Sequence, residues 1–162
     1  MLNALCNLMA DEDDGKRIST RLLGSAKFMR FYFDMMVQFP DRYDKSPILD
    51  NLIGCSNLKM LLCLFDEYRF DNLIACAIFR NSDRSNKLAA LATLERYFDE
   101  LAAKDHQGKR GKEFRRVARQ MATYRPLMEA LDISYESESR GQIEKKCADL
   151  MENIFSIDGD IN

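Results

Sequence analysis

The sequence has few of the residues on which small catalytic and metal-binding proteins depend. It contains no tryptophan and a single histidine, His106, among 162 residues. Because histidine is the commonest metal ligand and a frequent general base, a site built on His106 would need its partners from distant parts of the fold. His106 lies in a loop with glycines and basic residues, so we interpret it as an exposed loop residue without catalytic chemistry.

Cysteine is also used sparingly, and its five positions follow no ligand pattern. The cysteines are Cys6, Cys55, Cys63, Cys76 and Cys147. No two have the two-residue spacing of a zinc knuckle or a redox motif, and an odd number does not favour a disulfide framework. Most lie inside apolar runs. We therefore predict buried free thiols in a reducing compartment.

Sequence signatures of catalysis and calcium binding are missing as well. We find no P-loop, dinucleotide fingerprint, nucleophile elbow or metalloprotease helix. In the calcium-loop register, the acidic stretch 11–15 would place Ala10 and Arg21 at ligand positions, and neither is a ligand type that such loops use there. The stretch 158–162 lacks the glycine and glutamate that should follow. We expect no metal, no cofactor and no enzymatic activity.

Only three prolines and seven glycines interrupt a chain that is 46% hydrophobic and 31% charged. That balance is typical of a globular, helix-rich protein and unlike a disordered or fibrous one. Residues 1–10 are apolar, but they are too few to span a membrane and lack the basic start of a signal peptide. We predict one domain over residues 1–162, frayed at 1–16 and 157–162, in the cytoplasm or the nucleus.

Apolar spacing predicts an all-α fold, a compact bundle of about six or seven helices. The first helix, Arg17–Gln38, is apolar almost all round, so we place it at the centre. Proline at the first helical position starts another segment at Ser46-Pro47. Ser56 and Asp71 are the predicted N-caps of two short apolar helices that end near Glu67 and Phe79.

Three later helices complete the prediction. One follows Ser82-Asp83 and ends near Lys104, and it packs through residues that recur at three- and four-residue steps, namely Leu91, Leu94, Phe98 and Leu101. The next ends near Tyr124, where Arg125-Pro126 breaks it. A short apolar segment, Leu127–Ile133, then leads into a polar stretch over 134–141, which precedes a last helix around residues 143–154.

Charge is distributed unevenly along the chain. The net charge is −2, yet residues 84–125 contain eleven basic and five acidic side chains, a balance of +6. Residues 126–162 contain three basic and nine acidic side chains, a balance of −6. This asymmetry indicates either an anionic partner for the middle segment or a partner within the acidic tail.

The helix after Gly111 carries the strongest functional signal. Phe114, Val117, Ala118 and Met121 cluster on one side, and cations occupy the other. The predicted binding residues for an anionic partner are Lys109, Arg110, Lys112, Arg115, Arg116 and Arg119. The preceding Gly108-Lys-Arg-Gly111 has the glycine spacing of a KH-domain clamp, but the flanking strands of that fold are not visible. A merely solvated face is the alternative interpretation.

These patterns favour binding over catalysis. The leading hypothesis is a non-catalytic regulatory or adaptor protein whose basic helical face docks onto an acidic protein surface. In an alternative hypothesis, the same face binds the phosphates of RNA or DNA. A third is a small hydrolase or nuclease with a carboxylate site assembled by the fold. We also consider a homodimer, because one apolar seam can lack an internal partner in a chain this apolar.

Overall fold

A computed structural model describes residues 12–39, 47–80, 84–105 and 111–137, together with Asp149 and Glu152. Within these ranges the chain has eight helices and no strand, which confirms the predicted all-α class but exceeds the predicted count of six or seven helices. The helices are α1 (Glu12–Leu23), α2 (Ala26–Gln38), α3 (Pro47–Cys55), α4 (Leu58–Asp66), α5 (Phe70–Phe79), α6 (Arg84–Lys104), α7 (Lys112–Thr123) and α8 (Arg125–Ser137). Among the described residues, none of the helices has the length and apolar character needed to cross a membrane.

The predicted first helix, Arg17–Gln38, is in fact two helices that meet at Gly24 and Ser25. The Ser25 hydroxyl accepts a hydrogen bond from the backbone N–H of Phe28 at 3.3 Å, so it is the N-cap of α2. The amides of Gly24 and Ser25 donate to carbonyls in the last turn of α1. Apolar residues keep a helical spacing across this junction, and spacing alone therefore does not reveal the break.

The central helix of the bundle is α5, and the central position predicted for Arg17–Gln38 is wrong. α5 packs against α2, α4, α6 and α8. Its buried side chains cover an arc of about 200° around the helix, and they are Phe70, Asp71, Leu73, Ile74, Ala75, Ala77 and Ile78. In α2, by contrast, Phe31 remains 52% exposed, as does Phe39 just after it. A nearly all-apolar sequence thus did not require complete burial.

Two predicted N-caps are wrong. Ser56 is buried, and its hydroxyl donates to the Leu52 carbonyl at 2.6 Å, so it closes α3. Asn57 caps α4 instead, because its side chain accepts the backbone N–H three residues later at 2.9 Å. Asp71 lies inside the first turn of α5, and the N-cap position belongs to Arg69. Each predicted N-cap thus lies within two residues of the observed one, but in neither case is it the correct residue.

The long helix α6 forms the seam that its spacing predicts. Leu91, Leu94 and Leu101 are fully buried, and Phe98 is nearly so. Tyr97 is also fully buried, and its hydroxyl donates to the Leu61 carbonyl of α4 at 2.7 Å. Burial, followed by the nearby Asp66 charge, raises the pKa of Tyr97. The phenol is therefore a neutral, structural hydrogen-bond donor between two helices.

The described cysteines are free thiols, as predicted, but they are only half-buried. Cys55, Cys63 and Cys76 all have intermediate exposure. Desolvation raises the pKa of Cys63 and Cys76, which disfavours the reactive thiolate. Cys6 and Cys147 lie outside the described residues.

Candidate functional site

The basic helix α7 is attached to the bundle by the apolar face that its sequence predicts. Val117, Ala118 and Met121 are fully buried, and Phe114 is 9% exposed. The Phe114 ring meets the Phe98 ring of α6 edge to face, with centroids 5.7 Å apart. Packing of this face directs the opposite, cationic side of α7 toward solvent.

A remote carboxylate caps the start of α7. The N-cap residue is Gly111, which has no side chain to offer, and Asp105 at the end of α6 takes over this role. Its Oδ2 accepts the backbone N–H of Phe114 at 2.9 Å, and the residue is only 5% exposed. A Cβ at Gly111 would overlap this carboxylate. Glycine is therefore needed at position 111 because the Asp105 carboxylate comes so close to its Cα. The spacing of Gly108 and Gly111, which resembles that of a KH-domain clamp, does not indicate this role.

Arg116 is engaged within the protein. Its guanidinium donates to both carboxylate oxygens of Asp66 on α4, each at 2.9 Å. It also donates to Glu113 at 2.8 Å and to Gln120 at 2.9 Å. These hydrogen bonds, above all the pair to Asp66, raise the pKa of Arg116. The two hydrogen bonds to Asp66 attach α7 to α4. Because the carboxylates of Asp66 and Glu113 offset its charge, Arg116 adds little positive potential to the surface.

The exposed cations of α7 form a single row. Lys112, Arg115 and Arg119 are all exposed and occupy positions i, i+3 and i+7. At 100° and 1.5 Å per residue, they fall within an arc of about 60° and span about 10 Å. Of the six predicted binding residues, these three make the surface that we call the α7 row. Lys109 and Arg110 lie outside the described residues, together with His106 and Gly108.

A polar cleft that the sequence did not predict lies beside this surface. It has a volume of about 360 Å³ between the α4–α5 turn and the α7–α8 turn. Its lining residues are Phe65, Asp66, Arg69, Asp71, Gln120, Thr123 and Tyr124. Residues from three helices and two turns converge here, and sequence spacing does not predict such a convergence.

Arg69 is the unusual residue of the cleft. Its backbone is left-handed, with φ 54° and ψ 57°, a conformation that costs a non-glycine residue about 1 kcal/mol. The guanidinium donates to Asp71 at 3.1 and 3.0 Å and lies over the Tyr124 ring, 5.1 Å from its centroid. The Tyr124 hydroxyl donates to Asn72 at 3.1 Å. These contacts join the starts of α5 and α8 and offset the backbone strain.

The cleft lends no geometric support to the hydrolase hypothesis. Its two carboxylates, Asp66 and Asp71, are each held by an arginine through two hydrogen bonds. In the part of the chain that the structure describes, no three His, Cys, Asp or Glu side chains are grouped to hold a metal ion. The described carboxylates of this region thus act as partners for arginine.

Comparison with known proteins adds no identification, since no family model, no curated protein and no solved structure matches this chain. Inference about function therefore depends on the surfaces themselves.

Proposed function

We propose that this protein is a non-catalytic adaptor or regulator that docks onto an acidic surface of another protein through the α7 row. The observation that carries the proposal is the alignment of Lys112, Arg115 and Arg119 on one exposed line of a firmly attached helix. Two arginines and a lysine at helical spacing match carboxylates presented at the same spacing by a second helix.

Rigid attachment of α7 supports this role. Asp105 holds its first turn, Arg116 holds its middle to Asp66, and Phe114 packs on α6. A helix fixed in this way presents its cations with little further loss of conformational entropy, so more of each ion pair's energy contributes to binding.

The same geometry favours a protein over a nucleic acid. Arg116, the cation beside the row, is offset by Asp66 and Glu113, and Asp66 is itself 46% exposed. A sugar–phosphate backbone following α7 would meet these carboxylates along one side of the row. An acidic helix, by contrast, can place its few carboxylates against the α7 row and avoid the carboxylates beside it. Binding of nucleic acid is therefore the alternative that the test must distinguish.

The test uses a labelled helical peptide with glutamates at positions i, i+3 and i+7, and a scrambled peptide of the same composition. Fluorescence anisotropy at low and moderate salt should show binding of the ordered peptide and weaker binding of the scrambled one. Labelled single-stranded RNA and duplex DNA are measured in parallel, because phosphate binding weakens by nearly one log unit of affinity per contact for each log unit of salt.

A matched pair of variants assigns the effect to α7. The row variant changes Lys112, Arg115 and Arg119 to Glu, and Arg116 is left intact because a carboxylate there would face Asp66. The control changes three exposed cations elsewhere to Glu, with the same change of net charge: Arg17, Arg21 and Lys59. Loss of peptide binding in the row variant alone supports the proposal. Three results would contradict the proposal. They are an equal loss of peptide binding in both variants, equal affinity for the ordered and scrambled peptides, and RNA binding that is tighter and depends more steeply on salt than peptide binding.

A further inference from the structure

The α7 row leads directly to the mouth of the polar cleft. Thr123 follows Arg119 by four residues, so it lies about 6 Å further along the helix and only about 40° around it. The directions of Lys112 and Thr123 differ by only about 20°. Thr123 is exposed, and it also lines the cleft. A partner helix that follows the row to the end of α7 therefore passes over the cleft.

The cleft has room for one large side chain. Its volume of about 360 Å³ is at the lower end of the range for small-molecule sites. Phe65, which is 6% exposed, and the half-buried Tyr124 contribute rings to its lining. At protein interfaces, a few large side chains that fill pockets contribute most of the binding energy. The cleft is therefore suited to an anchoring residue of the partner.

Charges of both signs border the cleft, and they disfavour a charged anchor. The Asp66 side chain is 46% exposed, and the Arg69 side chain is 55% exposed. A carboxylate in the cleft would be repelled by Asp66, and an ammonium or guanidinium group would be repelled by Arg69. The anchor that suits both residues is electrically neutral.

The same two residues retain hydrogen-bonding capacity. Each oxygen of Asp66 accepts one hydrogen bond from Arg116, and a carboxylate oxygen has two lone pairs. Arg69 donates to Asp71 through Nε and Nη2, and among the described residues no hydrogen bond uses its Nη1. A purely apolar anchor would displace water from these groups without replacing its hydrogen bonds. The neutral anchor must therefore both donate and accept.

Tyrosine is the large side chain that meets these requirements. Its hydroxyl both donates and accepts, whereas the indole of tryptophan only donates and phenylalanine does neither. We propose that the acidic helix docked on the α7 row carries a tyrosine one turn beyond its carboxylates, and that this tyrosine fills the cleft. Its ring packs beside Phe65 and Tyr124, and its hydroxyl donates to Asp66 and accepts from Arg69. This inference rests on the function proposed for the α7 row.

The experiment adds one anchor to the peptide with glutamates at i, i+3 and i+7. Tyrosine is placed at i−4 in one peptide and at i+11 in another, one for each direction in which a helix can follow α7. Matched peptides have alanine or phenylalanine at the same position. In fluorescence anisotropy with the wild type, one of the two orders should bind about thirtyfold more tightly with tyrosine than with alanine. Tyrosine should exceed phenylalanine by about fivefold.

Substitutions in the protein assign this gain to the cleft. Thr123→Phe places a ring at the cleft mouth and keeps the three cations of the row, so the tyrosine and alanine peptides should then differ by less than about twofold. Thr20→Phe, at an exposed position of α1, is the control and should preserve the full difference. Asp66→Ala removes the acceptor, so the advantage of tyrosine over phenylalanine should disappear. Circular dichroism checks that each variant is folded.

Equal affinity for the tyrosine and alanine peptides in both orders would overturn the anchor. If those peptides still depend on the row, the function proposed for α7 stands without it. An equal gain in both orders, or a gain that persists in Thr123→Phe, would also overturn the anchor, because the tyrosine then binds elsewhere. If no peptide binds the wild type, the function proposed for the α7 row fails, and the anchor fails with it.

Discussion

Replacement of Gly111 by alanine tests how the start of α7 is built. The added Cβ would overlap the Asp105 carboxylate, so the carboxylate must leave or the helix start must shift. Asp105 is 5% exposed and accepts the Phe114 N–H at 2.9 Å. Loss of a capping side chain costs about 1 kcal/mol, and a hydrogen bond to a charged group contributes about 1.5–3 kcal/mol. We expect Gly111→Ala to lower the free energy of unfolding by about 2 kcal/mol.

The double variant isolates the contact between the two residues. Asp105→Ala removes the cap and should cost about 1.5 kcal/mol. Once the carboxylate is gone, the Cβ at position 111 has space. Adding Gly111→Ala to this variant should then cost only about 0.5 kcal/mol, the ordinary penalty for alanine at an N-cap. The two substitutions should therefore be non-additive by about 1.5 kcal/mol.

Urea unfolding followed by far-ultraviolet circular dichroism measures all four free energies without needing tryptophan. Gly24→Ala is the control, because a Cβ there meets only carbonyl oxygens at 3.5 and 3.6 Å, an ordinary contact distance. The free energy of unfolding of Gly24→Ala should differ little from that of the wild type. Free energies for Gly111→Ala and Asp105→Ala that add within about 0.5 kcal/mol would refute the proposed overlap.

Substitutions at three other positions test polar groups inside the bundle. Tyr97→Phe removes the buried hydroxyl that donates to Leu61 and should lower the free energy of unfolding by about 1 kcal/mol in urea; an unchanged midpoint would contradict this. Arg69→Ala deprives Asp71, 3% exposed, of its partner and should cost about 1–2 kcal/mol, since solvent screens the half-exposed arginine. Arg69→Gly should be about 1 kcal/mol more stable than the alanine variant, because glycine accepts the left-handed backbone, and equal stabilities would argue against strain. Burial raises the pKa of Asp50, so its protonation favours the folded state below about pH 4 and that contribution is lost as pH rises through the folded pKa. Asp50→Asn should therefore gain stability relative to the wild type as pH rises, and a pH-independent difference would disprove it.

The faces of α7 were predictable because helical periodicity is a local property. Phe114, Val117, Ala118 and Met121 are buried as their spacing predicts, and Lys112 and Arg115 are exposed. Sequence could not separate Arg116 from its cationic neighbours, since Asp66 is fifty residues earlier in the chain. It could not show the purpose of Gly111 either, because that glycine makes room for a side chain from another helix.

The sequence by itself determined the helical class, the approximate limits of most helices and the apolar faces of α6 and α7. These features follow from residue spacing and from caps and breaks within a few positions, so they need no knowledge of neighbours. Tertiary structure decided that α5 is central, that α2 leaves Phe31 and Phe39 half-exposed, and that Arg69 adopts a left-handed backbone beside Tyr124. Each of these depends on which helices meet in space, where burial and long-range ion pairing outweigh local preference.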